Sequence, residues 1–481
     1  MSSGNSDYQA LPEGIRNSEQ RIDEICSCSK WFKAIILGSI LLGVGFLNDL
    51  PVALKNDQRF SNFNQFPRIC ELCSSSGGII GAITSLFINN GSNSKKILIY
   101  SSLMVLLSQI LFALSSESES HWIVMVSRAI YGFGQTNLLC TLALATAKVS
   151  SQQYGFFYGI IGSMMILPEA IQQVLMSHFF PENKLPEDIL GILLCLCSLL
   201  SSLFYANQKI MLSESIFGDT SSNQDWSISK LAKMLIACNA VSLGAYYFLE
   251  TLFIQDKKET SYLLSNGIAK CIAVVSSPLL GRLMDVFGKR THLMIFSNFL
   301  LLGLSTLLTF SVDDFWIISS LVIVVTVLYF SITINLFCST SILAAKAFTQ
   351  IPIILGCSLA VFNLLKATLI GLQLSGAFNG SDSQVSAITC AVLGAIAVFL
   401  VVVTLKIDSF YELTQPINFL NRGKQRTISL PASEYSVESE NPDSKIAIAS
   451  TVEKKSEIVS RQTTGSFVTV GSLETYGKRQ Y

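Results

Sequence analysis

The chain has 481 residues and no net charge; half of its residues are hydrophobic and 14% are charged. Its mean hydropathy is +0.50. Soluble domains carry about 25% charged residues, so this composition excludes an ordinary soluble multidomain protein, and the balanced charge points to no nucleic-acid partner.

Apolar runs of roughly 20 residues, the length a helix needs to cross a bilayer, recur along the chain. The first thirty residues are polar and acidic and lack an apolar signal core. They hold Tyr8-Gln9-Ala10-Leu11, a tyrosine-based pattern of the kind sorting adaptors read, so Tyr8 and Leu11 are sorting candidates. Six spans are expected at about 34–54, 70–89, 97–115, 122–147, 155–179 and 188–207. A polar stretch, 208–228, separates them from six more at about 229–254, 262–283, 293–311, 315–338, 351–376 and 384–405. Ser and Gly interrupt the span at 70–89, and Lys366 interrupts that at 351–376. Beyond residue 406 the chain turns rich in Ser, Thr, Glu and Lys, a composition that cannot bury a core. The fold expected is an all-α membrane protein of twelve transmembrane helices in two six-helix halves. It comprises an N-terminal tail (1–33), a first bundle (34–207), a linker (208–228), a second bundle (229–405) and a largely disordered tail (406–481).

Lysine and arginine crowd the short segments on one side, among them Lys95, Lys96, Lys209, Arg282, Lys289 and Arg290. The positive-inside rule makes that side cytosolic and places both termini in the cytosol. Asn379-Gly380-Ser381 then falls in an outer loop, which makes Asn379 a glycosylation candidate. Most of the twelve cysteines fall inside spans, where cysteine acts as a small apolar residue. Three histidines, none in mid-span, and the lone pair Cys70 and Cys73 make up no metal site. No cofactor is expected.

Charges inside the membrane are costly and mark function. Arg128 lies in span 4, Glu169 in span 5 after Pro168, Glu250 late in span 7, Lys270 in span 8 and Lys366 well inside span 11. Arg128 is either a cation of a central pathway or one that fixes a helix end. Glu169 and Lys366, with Arg128 or Lys270 nearby, would suit a zwitterion such as an amino acid or short peptide. Alternatively, these groups pair with one another and separate as the protein changes shape. No constellation of catalytic groups sits in mid-span, so an enzyme is not expected.

Between spans 8 and 9 the sequence runs Gly281-Arg282-Leu283-Met284-Asp285-Val286-Phe287-Gly288-Lys289-Arg290. It reads as a short charged turn, with Gly281 and Gly288 allowing tight backbone. Arg282, Lys289 and Arg290 would hold it on the cytosolic side, and Asp285 would pair with a helix terminus or one of those cations. The stretch resembles the signature of the major facilitator superfamily of secondary transporters, and Arg128 through Gly134 resembles that superfamily's span-4 element. The matching place in the first half has Gly81 but Ser85 where the acid would stand.

Residues Leu47–Leu54, Gln109–Leu114, Arg128–Gly134 and Ser276–Lys289 resemble the lysosomal dipeptide transporter branch of that superfamily. This implies alternating access, uniport of a small zwitterion such as a dipeptide, a lysosomal or vacuolar membrane rather than the plasma membrane, and a glycosylated accessory membrane protein. Where that branch carries an acid in span 4 and an arginine in span 5, this chain has Thr136-Asn137 and Ile166. Expected partners are therefore a small solute, the lipid bilayer and that accessory protein, with a homodimer as a further assembly. A transporter-like receptor or scaffold is the alternative function.

Overall fold

A computed structural model describes residues 31–48, 65–88, 93–118, 120–149, 153–176, 185–207, 229–256, 260–309, 315–344, 350–375 and 382–408, all of them within the unit 1–421. The described residues are helical throughout. The helices are α1 (Trp31–Ser39 and Leu42–Asn48), α2 (Phe66–Ile88), α3 (Ser94–Ser118), α4 (His121–Val149), α5 (Tyr154–Ile171), α6 (Leu185–Asn207), α7 (Lys230–Asp256), α8 (Thr260–Phe287), α9 (Arg290–Thr309), α10 (Phe315–Leu343), α11 (Gln350–Leu374) and α12 (Asp382–Ile407). Among them, nine are long and apolar enough to cross a membrane, ten if the bent α1 counts as one span. The helices α4 and α9 fall outside that set. Polar residues dilute α4: Arg128, Gln135, Thr136 and Asn137.

Helices read from hydropathy alone differ from the observed ones in two places. The first span is not one rod: it bends by 42° between Ser39 and Leu42. Gly38, Gly43 and Gly45 flank the bend and lie hard against Met164, Cys195 and the Met165 carbonyl. A break leaves first-turn N–H groups without partners inside their own helix. The Ser198 hydroxyl of α6 accepts one of them, from Gly43, at 2.8 Å.

The second difference concerns the charged stretch after span 8. It is not a loop. Residues 281–287 continue α8, and only Gly288 and Lys289, with φ of 66° and 44°, make the link to α9. That left-handed pair suits glycine and strains lysine. Arg290, expected to face water beside Arg282 and Lys289, is wholly buried. Asn335 of α10 donates to the Arg290 carbonyl at 2.7 Å. The Arg290 charge lies close enough to bear on Asp285 and Cys338.

Small residues decide how the rods meet, since lipid offers no hydrophobic drive between helices. The Ser–Gly stretch that interrupts the second span is its packing face. Gly77 and Gly81 abut the backbone of α4 at Ala129 and Phe133, and Gly132 of α4 abuts Ser74 in return. Gly78, a step round the helix, faces Asn363 of α11. Ser108 and Ser127 exchange hydrogen bonds between α3 and α4, each hydroxyl donating to the other's carbonyl at 2.9 Å. Lys95, at the start of α3, donates to the Ala206 carbonyl in the last turn of α6.

Outward-facing apolar side chains such as Tyr100, Leu200, Phe299 and Phe399 stand exposed where lipid would lie. Trp122 and Trp316, at the starts of α4 and α10, are about three-quarters exposed (75% and 76%) and suit the headgroup level. Both lie at the end of the bundle away from the Gly288–Lys289 link. The two ends are called below the link end and the far end.

A tight seam joins α5 to α8. A Cβ on Gly281 would overlap the Gly155 carbonyl, and one on Gly159 would meet Ser277 and Pro278. Gly281→Val is therefore expected to destabilise the protein by about 1–3 kcal/mol, the usual cost of overpacking, read as a lower unfolding temperature in detergent. An unchanged unfolding temperature would mean that the two helices do not approach here.

Candidate functional site

Two ion pairs, one buried and one partly buried, join the first six helices to the last six, both toward the far end. Lys270 of α8 meets Glu169 of α5 at 2.8 Å, with side chains 3% and 5% exposed. Lys366 of α11 meets Glu71 of α2, and these side chains are 15% and 16% exposed. Such pairs survive away from water only when further hydrogen bonds hold them, and each has one. Asn48, at the end of α1, donates to Glu169 at 3.0 Å. The Tyr247 hydroxyl of α7 donates to Glu71. The ring of Tyr247 also lies under the Lys366 ammonium, 4.0 Å from its centre, in cation–π geometry.

Local sequence sets these carboxylates in place. Pro168 supplies no N–H to its helix, and α5 ends three residues later in a π turn over Gln172–Met176. The Gln172 N–H is shared between the Glu169 and Pro168 carbonyls. π turns gather at functional sites, and Glu169 lies at this irregularity.

The structure corrects the expected grouping of charges. Glu169 and Lys366 do not share one site as partners; each takes a different counter-ion. Glu71 escaped the sequence reading because it seemed to stand at a span edge between Cys70 and Cys73. In fact α2 begins at Phe66 and carries Glu71 inward by more than a turn. Its spacing held a signal: seven residues separate Glu71 from Gly78, two helical turns on the same face. Gly78 meets Asn363, three residues before Lys366.

Arg128 lies against the end of α1. It is buried (3% exposed), donates to the Leu47 carbonyl at 2.7 Å and stacks over Tyr131 at 4.6 Å. A cation at the carbonyl end of α1 suits that helix terminus. Tyr131 donates to the Val44 carbonyl beside it. Arg128 still acts electrostatically on Glu71. Glu250 belongs to α7, but its side chain lies outside the described residues, as do Asn379, Tyr8 and Leu11.

At the link end a different contact joins the same two helix sets. Both carboxylate oxygens of Asp285 accept backbone N–H groups at the start of α5, from Gly155 at 2.8 Å and Phe156 at 2.9 Å. A carboxylate at a helix N-terminus satisfies orphan donors and meets the positive end of the dipole. Of the two partners expected for Asp285, it is the helix terminus that it bonds. The matching seam between α2 and α11 has no such clip at Ser85, whose hydroxyl turns back to the Ala82 carbonyl at 2.8 Å. Tyr158 of α5 adds a hydrogen bond to Ser341 of α10 at 2.7 Å. The two helix sets thus touch at both ends.

Between these contacts lies a cavity of about 30 Å³, bounded by α1, α4, α5 and α10.

The family model described as the Major Facilitator Superfamily matches residues 72–365. No curated protein matches the sequence. Among solved structures, the human organic anion transporter TETRAN aligns with a TM-score of 0.55 at 13% identity, over 78% of this chain and 99% of that one. A bacterial homologue of the iron transporter ferroportin, in an outward-facing state, aligns with a TM-score of 0.58 at 14% identity and the same coverage.

Proposed function

This chain belongs to the major facilitator superfamily and is a multi-pass secondary transporter, and from that premise we propose that it carries a small zwitterionic solute by alternating access. Residues 34–207 and 229–405 act as two rocking bundles, with 208–228 as the linker between them. The pairs Glu169–Lys270 and Glu71–Lys366 close the far end, and the Asp285 clip closes the link end. The observation that carries this reading is the Glu169–Lys270 pair. It joins the two bundles inside the membrane, so it must break whenever they part at the far end. A solute bearing both an ammonium and a carboxylate offers each partner a replacement counter-charge as that happens.

The distribution of lysine and arginine supports a cytosolic link end and cytosolic termini. Resemblance to the lysosomal dipeptide branch supports a lysosome-type membrane, dipeptide uniport and a glycosylated accessory partner. Against the dipeptide assignment, Thr136 and Asn137 engage carbonyls of their own helix, where that branch carries an acid. A receptor or scaffold with the transporter fold is the second reading, favoured by Ser85 standing where an acid would complete a second clip.

Uptake of labelled neutral amino acids and dipeptides into proteoliposomes separates the two. Saturable flux of at least one zwitterion, with inorganic anions and sugars excluded, is the expected result. Ligand-induced thermal stabilisation without flux would establish the receptor.

A further inference from the structure

We propose that the cavity around Gly162 receives the apolar side chain of the solute, and that Gly162 sets how large that side chain can be. This rests on the reading that Glu169 and Lys270 meet the solute's charged groups.

The cavity is apolar in effect as well as in composition. Leu41, Leu142, Ile161, Met165 and Phe330 are among its walls. Only two lining residues, Tyr158 and Thr333, carry a polar side-chain atom, and both hydroxyls are engaged elsewhere. Tyr158 bonds the Ala143 carbonyl at 3.1 Å and Ser341, and Thr333 donates to the Tyr329 carbonyl at 3.0 Å. A water placed here would find no free side-chain donor and too few partners to hold it, and cavities of this kind stay dry. An empty space lined by such groups lacks the packing contacts it could make, so it favours an apolar occupant.

Its position relates it to the charges. Met165 lines the cavity, and Glu169 follows it by one turn on the same face of α5. Phe330, also in the wall, packs with Ile166 and Ala273, and Ala273 lies three residues after Lys270. A zwitterion held by Glu169 and Lys270 would therefore direct a side chain toward the link end, into this space. Entry accompanies parting of the far-end pairs, with the unbranched Met165 as a movable wall.

Gly162 is the glycine of the cavity wall, and it has room to grow. A Cβ built there meets no atom within 4 Å, although Gly155 and Gly159 on the same helix are pressed against α8. Close packing explains those two glycines; Gly162 instead borders the cavity.

The test compares wild type, Gly162→Ala and Gly162→Leu in proteoliposomes, with glycyl-glycine, seryl-serine and leucyl-leucine as labelled solutes. Unfolding temperatures are measured alongside. Wild type is expected to take leucyl-leucine with a KM about 15- to 60-fold below that of the two polar solutes, the gain from burying two or three methylene groups. Gly162→Leu is expected to remove that preference, while the KM for glycyl-glycine stays within about twofold and the unfolding temperature holds. Gly162→Ala should fall between. If wild type transports these solutes but all three proteins rank them alike, the subsite is wrong and the transport reading stands. If wild type neither moves nor is stabilised by any of them, nor by any neutral amino acid, the zwitterion reading fails and the subsite fails with it. If Gly162→Leu unfolds, while Gly162→Ala has lost no preference for leucyl-leucine, the glycine is structural and the proposal is overturned.

Discussion

Glu169→Gln and Lys270→Ala will each reduce uptake to a tenth of wild type or less. Either change leaves the remaining charge buried without its counter-ion, at side-chain exposures of 5% or below. Removing one partner of a buried pair costs about 3–5 kcal/mol, because the orphaned charge is then uncompensated. That penalty falls on the conformation closed at the far end, so the solute is no longer trapped between two gates. Part of the loss could reflect poorer folding, which a reversed pair separates. In the double variant Glu169→Lys with Lys270→Glu, the attraction returns and the unfolding temperature should recover by more than half of what each single change lost. Uptake by the reversed pair measures whether polarity toward the solute matters. Recovery of stability without recovery of flux would place the solute's charged groups against these two residues. A reversed pair no more stable than the single variants would refute the contact itself. Lys366→Ala should reduce uptake in the same direction but less steeply, because that pair is 15–16% exposed and solvent replaces part of what is lost.

Asp285→Asn will shift the protein toward the conformation open at the link end. The carboxylate holds two N–H groups at the start of α5, and hydrogen bonds to a charged group contribute roughly 1.5–3 kcal/mol each. An amide keeps one acceptor oxygen and loses the charge that faces the helix dipole. A net loss of roughly 2–3 kcal/mol moves a two-state equilibrium about 30- to 150-fold. The direct readout is hydrogen exchange at the Gly155 and Phe156 amides, which should quicken by about that factor while amides in the middle of α4 keep their protection. Uptake should fall about tenfold, since the carrier would dwell in one of its two states. Unchanged exchange at those two amides would show that Asp285 does not hold the seam. Asp285→Ala should go further than Asp285→Asn, having no acceptor at all.

Much of this protein could be read from its sequence for a simple reason. A helix in lipid satisfies its backbone hydrogen bonds within itself, so each span announces its own length in apolar residues. Most of the expected spans therefore fall within a few residues of the helices observed. The exceptions are places where a neighbour supplies what the helix does not. In α1, a bend is tolerated because Ser198 accepts a freed N–H and glycines let α5 and α6 close in. In α8, the apolar signal stops near Leu283 while the helix runs on to Phe287, because Asp285 has a partner waiting on α5. Arg290 reads as a water-facing cation until the folded chain buries it against α10.

Which charge meets which lay beyond sequence. Composition and residue order by themselves determined that this is a membrane protein of helical spans and that Glu169, Lys270 and Lys366 stand where ionisable groups are costly; the family came from the resemblance of residues 281–290 to a known signature. Only the tertiary structure decided that Glu169 faces Lys270, that the carboxylate for Lys366 is Glu71, that Arg128 lies against the end of α1, and that Gly162 borders open space. Such contacts depend on how each helix is rotated about its axis and on how two helix bundles meet. Rotation is set by small-residue seams between helices far apart in the chain, Gly155 against Gly281 and Gly78 against Asn363, and pattern within one span does not contain them.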